Sequence, residues 1–229
     1  MTNELTAAPA AGGNAAAVLD PQEIRVLAVL AEKEALTPDN YPMSLNAIVN
    51  GCNQLTSRDP IMQMTDDSVQ DTLQRLIERK LVSAISQAGA RVVKYEHRMR
   101  IKWTLEQDKV AVLSILMLRG LQTAGEIRTR SGRLHDFKSV PDVETALQFL
   151  IDKYPPLVAR LERAPGTKES RYGHLLGGEL PANAYEPAAA GTAGSGGGRV
   201  GQLEHEVAVL RGELEDLKAQ FEAFRQQFQ

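Results

Sequence analysis

Side chains able to do covalent or metal chemistry are few in this chain, and their spacing does not assemble them. Four histidines, His97, His135, His174 and His205, fall in four separate predicted elements with no ligand spacing among them, so no metal site is expected. The single cysteine, Cys52, excludes an internal disulfide and a thiolate cluster. No base stands near it in sequence to activate it. A glycine-rich phosphate loop, paired catalytic carboxylates and a Ser–His constellation are all missing from the sequence. The expectation is a protein with no catalytic residue and no cofactor.

Charge is patterned more tellingly. Arg91, Lys94, Arg98, Arg100 and Lys102 form one basic cluster, and Arg160, Arg163, Lys168 and Arg171 form a second. Arg128, Arg130 and Arg133 make a third, shorter run. Such cations neutralise phosphates without reading base sequence, or simply blunt exposed strand edges. Acidic and polar groups gather elsewhere: Asp66, Asp67, Gln70 and Asp71 at one helix start, Asp142 and Glu144 at another. Carboxylates there stabilise the helix dipole, and phosphates would repel them, so these positions suit a protein partner or water better than a DNA groove.

These residues sit on a repeat. The first copy runs over residues 19–102 and closes on Lys94-Tyr95-Glu96-His97; the second begins at residue 103 and closes on Arg171-Tyr172-Gly173-His174, ending near residue 177. Asp20-Pro21-Gln22-Glu23 and Thr104-Leu105-Glu106-Gln107 read as matching helix starts. Ile24, Leu27, Ala28, Leu30 and Ala31 then lie at helical spacing on one face, as do Val110, Leu113, Ile115, Leu116 and Leu118 in the second copy. Ser44 and the box Thr123-Ala124-Gly125-Glu126 start the second helices. The third helices are expected over 66–81 and 140–153. Strands over 82–86 and 91–97 flank a turn at Ala88-Gly89; strands over 158–163 and 169–175 flank Pro165-Gly166. Tyr95 with His97, and Tyr172 with His174, share strand faces and are expected to pack on the third helices with their imidazoles hydrogen-bonded. Arg58-Asp59-Pro60 and Arg133-Leu134-His135 occupy matching loops and are expected to brace the domain interface. Three helices and a hairpin, twice, predict a mainly α fold with small β wings (α+β): two tandem winged-helix domains joined through a packed hinge at residues 99–103.

The rest of the chain differs in kind. Residues 1–18 are mostly Ala, Gly and Asn and read as a disordered tail, and residues 178–198 read as a flexible linker. Over residues 199–229, Val200, Leu203, Val207, Leu210, Leu214, Leu217, Phe221, Phe224 and Phe228 recur in steps of three and four. That seam predicts a coiled coil and a homodimer. Net charge is −3, with 11 basic and 11 acidic side chains in residues 19–102, so no global basic field announces nucleic acid. The sequence shows neither a signal segment nor a membrane span, and a cytoplasmic protein is expected.

Six motifs fall in an order that resembles the YceH-type family of bacterial proteins: Tyr41-Pro42-Met43-Ser44-Leu45-Asn46, Cys52-Asn53-Gln54, Ser57-Arg58-Asp59-Pro60, Ser131-Gly132-Arg133-Leu134-His135, Arg163-Ala164-Pro165-Gly166 and Arg171-Tyr172-Gly173-His174-Leu175-Leu176. The resemblance covers residues 19 to about 177 and implies two tandem winged-helix domains. It implies no catalytic residue, ligand or mechanism. The leading functional expectation is a non-enzymatic, dimeric binding protein associated with DNA through phosphate contacts from its wings. Its rival is a protein-interaction adaptor that uses the acidic third helices and the domain interface.

Overall fold

Asp20 begins the first helix, α1 (Pro21–Leu36), by a reciprocal cap: its carboxylate accepts from the Glu23 amide at 2.8 Å, and the Glu23 carboxylate accepts from the Asp20 amide at 2.9 Å. The computed structural model describes residues 18–86, 92–162 and 169–180. All of residues 23–32 are buried, not the single face that the spacing predicts. The cause is the second copy. Its first helix, α5 (Gln107–Arg119), is buried throughout residues 110–118 and packs along α1, so the two copies share one core.

Each copy then repeats one plan. In the first, β1 (Met43–Ser44) leads to α2 (Leu45–Cys52), α3 (Asp66–Glu78), β2 (Val82–Ile85) and β3 (Lys94–His97). After a short connecting helix, α4 (Met99–Trp103), and α5 come β4 (Gln122–Thr123), α6 (Ala124–Ser131), α7 (Val140–Ile151), β5 (Val158–Arg160) and β6 (Arg171–His174). Both sheets are antiparallel, with the hairpin's second strand in the middle: β1-β3-β2 and β4-β6-β5. Their registers match position for position, Ser44 opposite Lys94 and Thr123 opposite Arg171. The opening strands β1 and β4 are two residues long, too short to show alternation.

Several helix ends depart from expectation. Ser44 and Thr123 cap as predicted, accepting from Ala47 at 3.4 Å and Glu126 at 3.2 Å. The box expected at Thr104 does not form. Thr104 instead takes a left-handed conformation (φ 51°) that closes α4, with the Leu105 amide donating to the Arg100 carbonyl at 3.0 Å; Glu106 precedes α5 without a side-chain cap. The third helices stop early, at Glu78 and Ile151. Lys80, left-handed at φ 59°, terminates α3 while Leu81 N–H returns to the Leu76 carbonyl at 2.9 Å. Prolines 155 and 156 follow α7 and cannot extend it. The hinge packs through Met99, which is buried, whereas Ile101 is 70% exposed. The turns at 88–89 and 165–166, residues Arg91, Arg163 and Lys168, the tail before Val18, the linker beyond residue 180 and every residue of the heptad seam lie outside the described residues.

Candidate interaction surfaces

Two buried arginines hold the loop between α2 and α3. Arg58 donates to both Glu32 carboxylate oxygens (3.2 and 2.7 Å), twice to the Gly51 carbonyl and once to Gln54 Oε1 at 2.7 Å. Arg25, inside α1, reaches the carbonyls of Cys52 (3.1 Å) and Pro60 (2.6 Å). The Asp59 amide donates across to Leu118 in α5 at 2.8 Å. The loop therefore meets the second copy through its backbone, while the contacts of Arg58 and Arg25 stay within the first copy. Arg25 is hidden to pattern reading, since one cation in an apolar run looks like a solvated position. Cys52 is enclosed beside this network, and burial pushes its thiol up to about 12, so it is protonated at neutral pH.

The Tyr-x-His pairs diverge. Tyr95 is buried and its hydroxyl lies 3.4 Å from Gln70 on α3, as expected. His97 faces α1 instead: its Nδ1 accepts from the Met99 amide (3.2 Å), which leaves Nε2 to donate to Glu34 at 3.1 Å. That hydrogen bond, helped by the Arg100 guanidinium, pulls the Glu34 carboxyl down to about 2. The hydrogen bond expected of His174 is not made: its buried Nδ1 has no partner among the described residues, and burial drives its pKa down to about 4. No group of three or more His, Cys, Asp or Glu among the described residues is placed to hold a metal ion.

The basic positions are spread over the surface. Lys94 and Arg171 are exposed on matching strand ends. Arg98 donates to Ser83 Oγ (2.7 Å), Arg100 pairs with Glu34 (3.1 Å), and Lys102 donates to the Arg79 carbonyl (3.4 Å). Arg128 donates to the Lys138 carbonyl (2.9 Å), Arg130 lies 3.8 Å from Glu126, and Arg160 ends β5 exposed. Asp66, Asp67, Gln70, Asp71 and Glu144 are exposed. Asp142 is occupied as a cap, accepting from the Ser139 amide at 2.9 Å.

Two concave surfaces lie between the copies, and sequence spacing shows neither. The larger, of about 920 Å³, forms where α3, α4 and α7 end. Leu19, Leu81, Leu157 and Leu176 are buried along it; Trp103 is half-buried, and Tyr154 stands 99% exposed at the rim beside Pro155 and Pro156. Its charged lining is Arg79, Lys80, Lys102 and Lys153 against Glu78. Arg79 is tied to Glu23 (3.3 Å) and the Val18 carbonyl (2.8 Å), while the Leu19 amide donates to Leu176 at 2.7 Å and closes the end of copy two onto the start of copy one. The smaller cleft, about 290 Å³, lies between the C-terminal halves of α1 and α5 and the end of α6, and Arg119, Arg130 and Arg133 line it.

Comparison with known proteins agrees with the sequence motifs. Residues 19–167 match the family described as "Protein of unknown function, DUF480". The chain is 65% identical over 232 residues to a UPF0502 protein of Janthinobacterium sp. (strain Marseille), covering 100% of both chains. It is 64% identical over 217 residues to a UPF0502 protein of Herminiimonas arsenicoxydans, covering 93% of this chain and 92% of the relative. A UPF0502 protein of Azoarcus sp. (strain BH72) shares 54% over 212 residues, 92% of this chain and 94% of the relative. With residues 19–167, well over half of the chain, matched, the chain belongs to the DUF480 (UPF0502) family of bacterial proteins, consistent with the YceH-type resemblance carried by its motifs.

Proposed function

We propose that this protein is a non-enzymatic adaptor built from two winged-helix copies, which holds an extended acidic and apolar segment of a partner protein in the groove between the ends of α3 and α7. The winged-helix assignment rests on the order helix, short strand, helix, helix, hairpin in both copies and on their matched strand orders. The groove carries the functional reading. Aromatic and proline rings over a leucine floor offer large contact area at little rotamer cost, and Lys80, Lys102 and Lys153 against Glu78, with Arg79 already paired to Glu23, favour an acidic segment. The acidic starts of the third helices play a lesser part. Asp66 begins α3 about 18 Å from the groove end of that helix, and Asp142 is engaged as a cap. A cytoplasmic setting, and self-association through the heptad seam of residues 200–228, complete the proposal. Light scattering should give twice the 25.0 kDa chain mass for the full chain and a single copy's mass for a version ending at Leu180.

Peptide display tests the groove. Segments selected on the wild-type protein should be rich in Asp, Glu and large apolar side chains, and should lose affinity for a Tyr154→Ala, Lys153→Ala double variant. Selected segments that bind the double variant equally well would remove the groove from the reading. One observation favours a second reading, phosphate contact with DNA: Lys94 and Arg171 are exposed at equivalent positions of the two sheets. On that reading, duplex DNA binds at physiological salt. Replacing both residues by Ala then weakens all sequences alike and makes the salt dependence shallower by about one unit for each phosphate no longer neutralised.

A further inference from the structure

We infer that the smaller cleft between the copies is a binding site for a small phosphate-bearing anion, held by Arg119, Arg130 and Arg133. The cleft is lined from both sides: Glu32, Leu36 and Ser57 come from the first copy, and the three arginines with Thr129 come from the second. Three guanidinium groups in one concavity repel one another unless something neutralises them. The one lining carboxylate, Glu32, does so only in part. Both Glu32 oxygens are taken by Arg58, at 3.2 and 2.7 Å, and Lys33 stands 3.5 Å from one of them. Among the described residues, Arg119 donates only to a neutral hydroxyl, that of Ser57. Arg130 has Glu126 at 3.8 Å, a weak pair on the helix surface that water screens. Arg133 is exposed and has neither an ion pair nor a hydrogen bond among the described residues.

The electrostatics agree with the geometry. Burial, and next the nearby charge of Arg130, lower the Arg119 pKa from its ordinary value; Glu32 partly opposes this and Arg58 adds to it. A ligand with two or more anionic oxygens relieves that repulsion, and guanidinium forks match phosphate oxygens bidentately. The volume, about 290 Å³, suits a small molecule and is too confined for a duplex backbone. Because the lining comes from both copies, an anion here ties the first copy to the second. The site is distinct from the groove of the adaptor proposal and stands or falls separately.

Calorimetric titration of the full chain with inorganic pyrophosphate tests this, in about 150 mM sodium chloride to screen diffuse attraction. The expected result is saturable binding of one pyrophosphate per chain with Kd between about 10 µM and 1 mM. Arg133→Ala, which removes an exposed group and no internal contact, should weaken it about tenfold, as should Arg130→Ala. Arg75→Ala, a cation outside the cleft, should leave it unchanged. Melting temperature should rise with pyrophosphate in the wild type and not in Arg133→Ala. Succinate at equal concentration separates sources: binding as tight as pyrophosphate would overturn the phosphate assignment. Failure to saturate by about 5 mM, or equal loss in Arg75→Ala, would overturn the site itself.

Discussion

Single ionisable residues make this fold sensitive to acid in two separate windows. His174 is half-buried, with an enclosed Nδ1 that has no partner among the described residues, and titrates near 4, against an ordinary value of 6.5. The unfolded chain therefore binds its proton first, so stability is full above pH 6.5 and falls as pH drops toward 4. Glu34 acts lower. Its carboxyl titrates near 2 instead of 4.5, so its contribution is full above pH 4.5 and is lost as pH falls toward 2. The His174 effect should amount to about 2 kcal/mol, and that of Glu34 to about 1 kcal/mol because water screens its exposed side. Urea unfolding at stepped pH checks both. His174→Phe should flatten the curve between pH 6.5 and 4 and leave the lower limb, while Glu34→Gln should do the reverse. Neither residue's environment is legible in the sequence. The Tyr-x-His repeat places both imidazoles on a strand face, but the helix that His97 meets is set by Glu34, 63 residues away.

At the scale of elements, the loop after α2 illustrates how charge is used to fix backbone. Arg58 has its head group enclosed and satisfies a carboxylate, a carbonyl and an amide oxygen at once. Arg58→Ala should cost about 3–5 kcal/mol, because Glu32 is left buried without its partner. Replacing both residues by Met should recover much of that loss in thermal or urea unfolding, since two apolar groups leave no orphaned charge. A double variant as unstable as the single one would mean that the carbonyl contacts of Arg58, not the ion pair, hold the loop. Local chemistry makes most elements legible. Asp20, Ser44 and Thr123 cap where their side chains allow, and the apolar spacing of the third helices marks their buried faces. Elements without a local signature escape the sequence. The two-residue strands β1 and β4 exist only through pairing, and α4 with the left-handed Thr104 replaces a cap that looks correct in sequence. The left-handed turn at Lys80 that ends α3 has no glycine to mark it, whereas Pro155 and Pro156 after α7 are a stop signal legible in the sequence.

For the whole molecule, the main departure from the sequence reading is the shared core. The repeat predicts two copies with separate centres; α1 and α5 instead pack on each other as well as on the elements of their own copies, and Asp59 and Leu19 stitch the copies at two more points. A repeat in sequence marks where copies begin, but apolar residues on both sides of a helix do not say which copy they face. The consequence is that residues 18–180 should melt as one unit in calorimetry; two resolved transitions would contradict the common core. That core also creates the concave surfaces between copies on which both proposals depend. The adaptor reading is tested most directly by Trp103, the chain's only tryptophan, which lines the larger groove. Titration with an extended acidic, apolar peptide at physiological salt should shift its emission saturably, and the shift should vanish with Tyr154→Ala, Lys153→Ala. An emission unmoved by any such peptide, with duplex DNA bound tightly at the same salt and released by Lys94→Ala, Arg171→Ala, would contradict it.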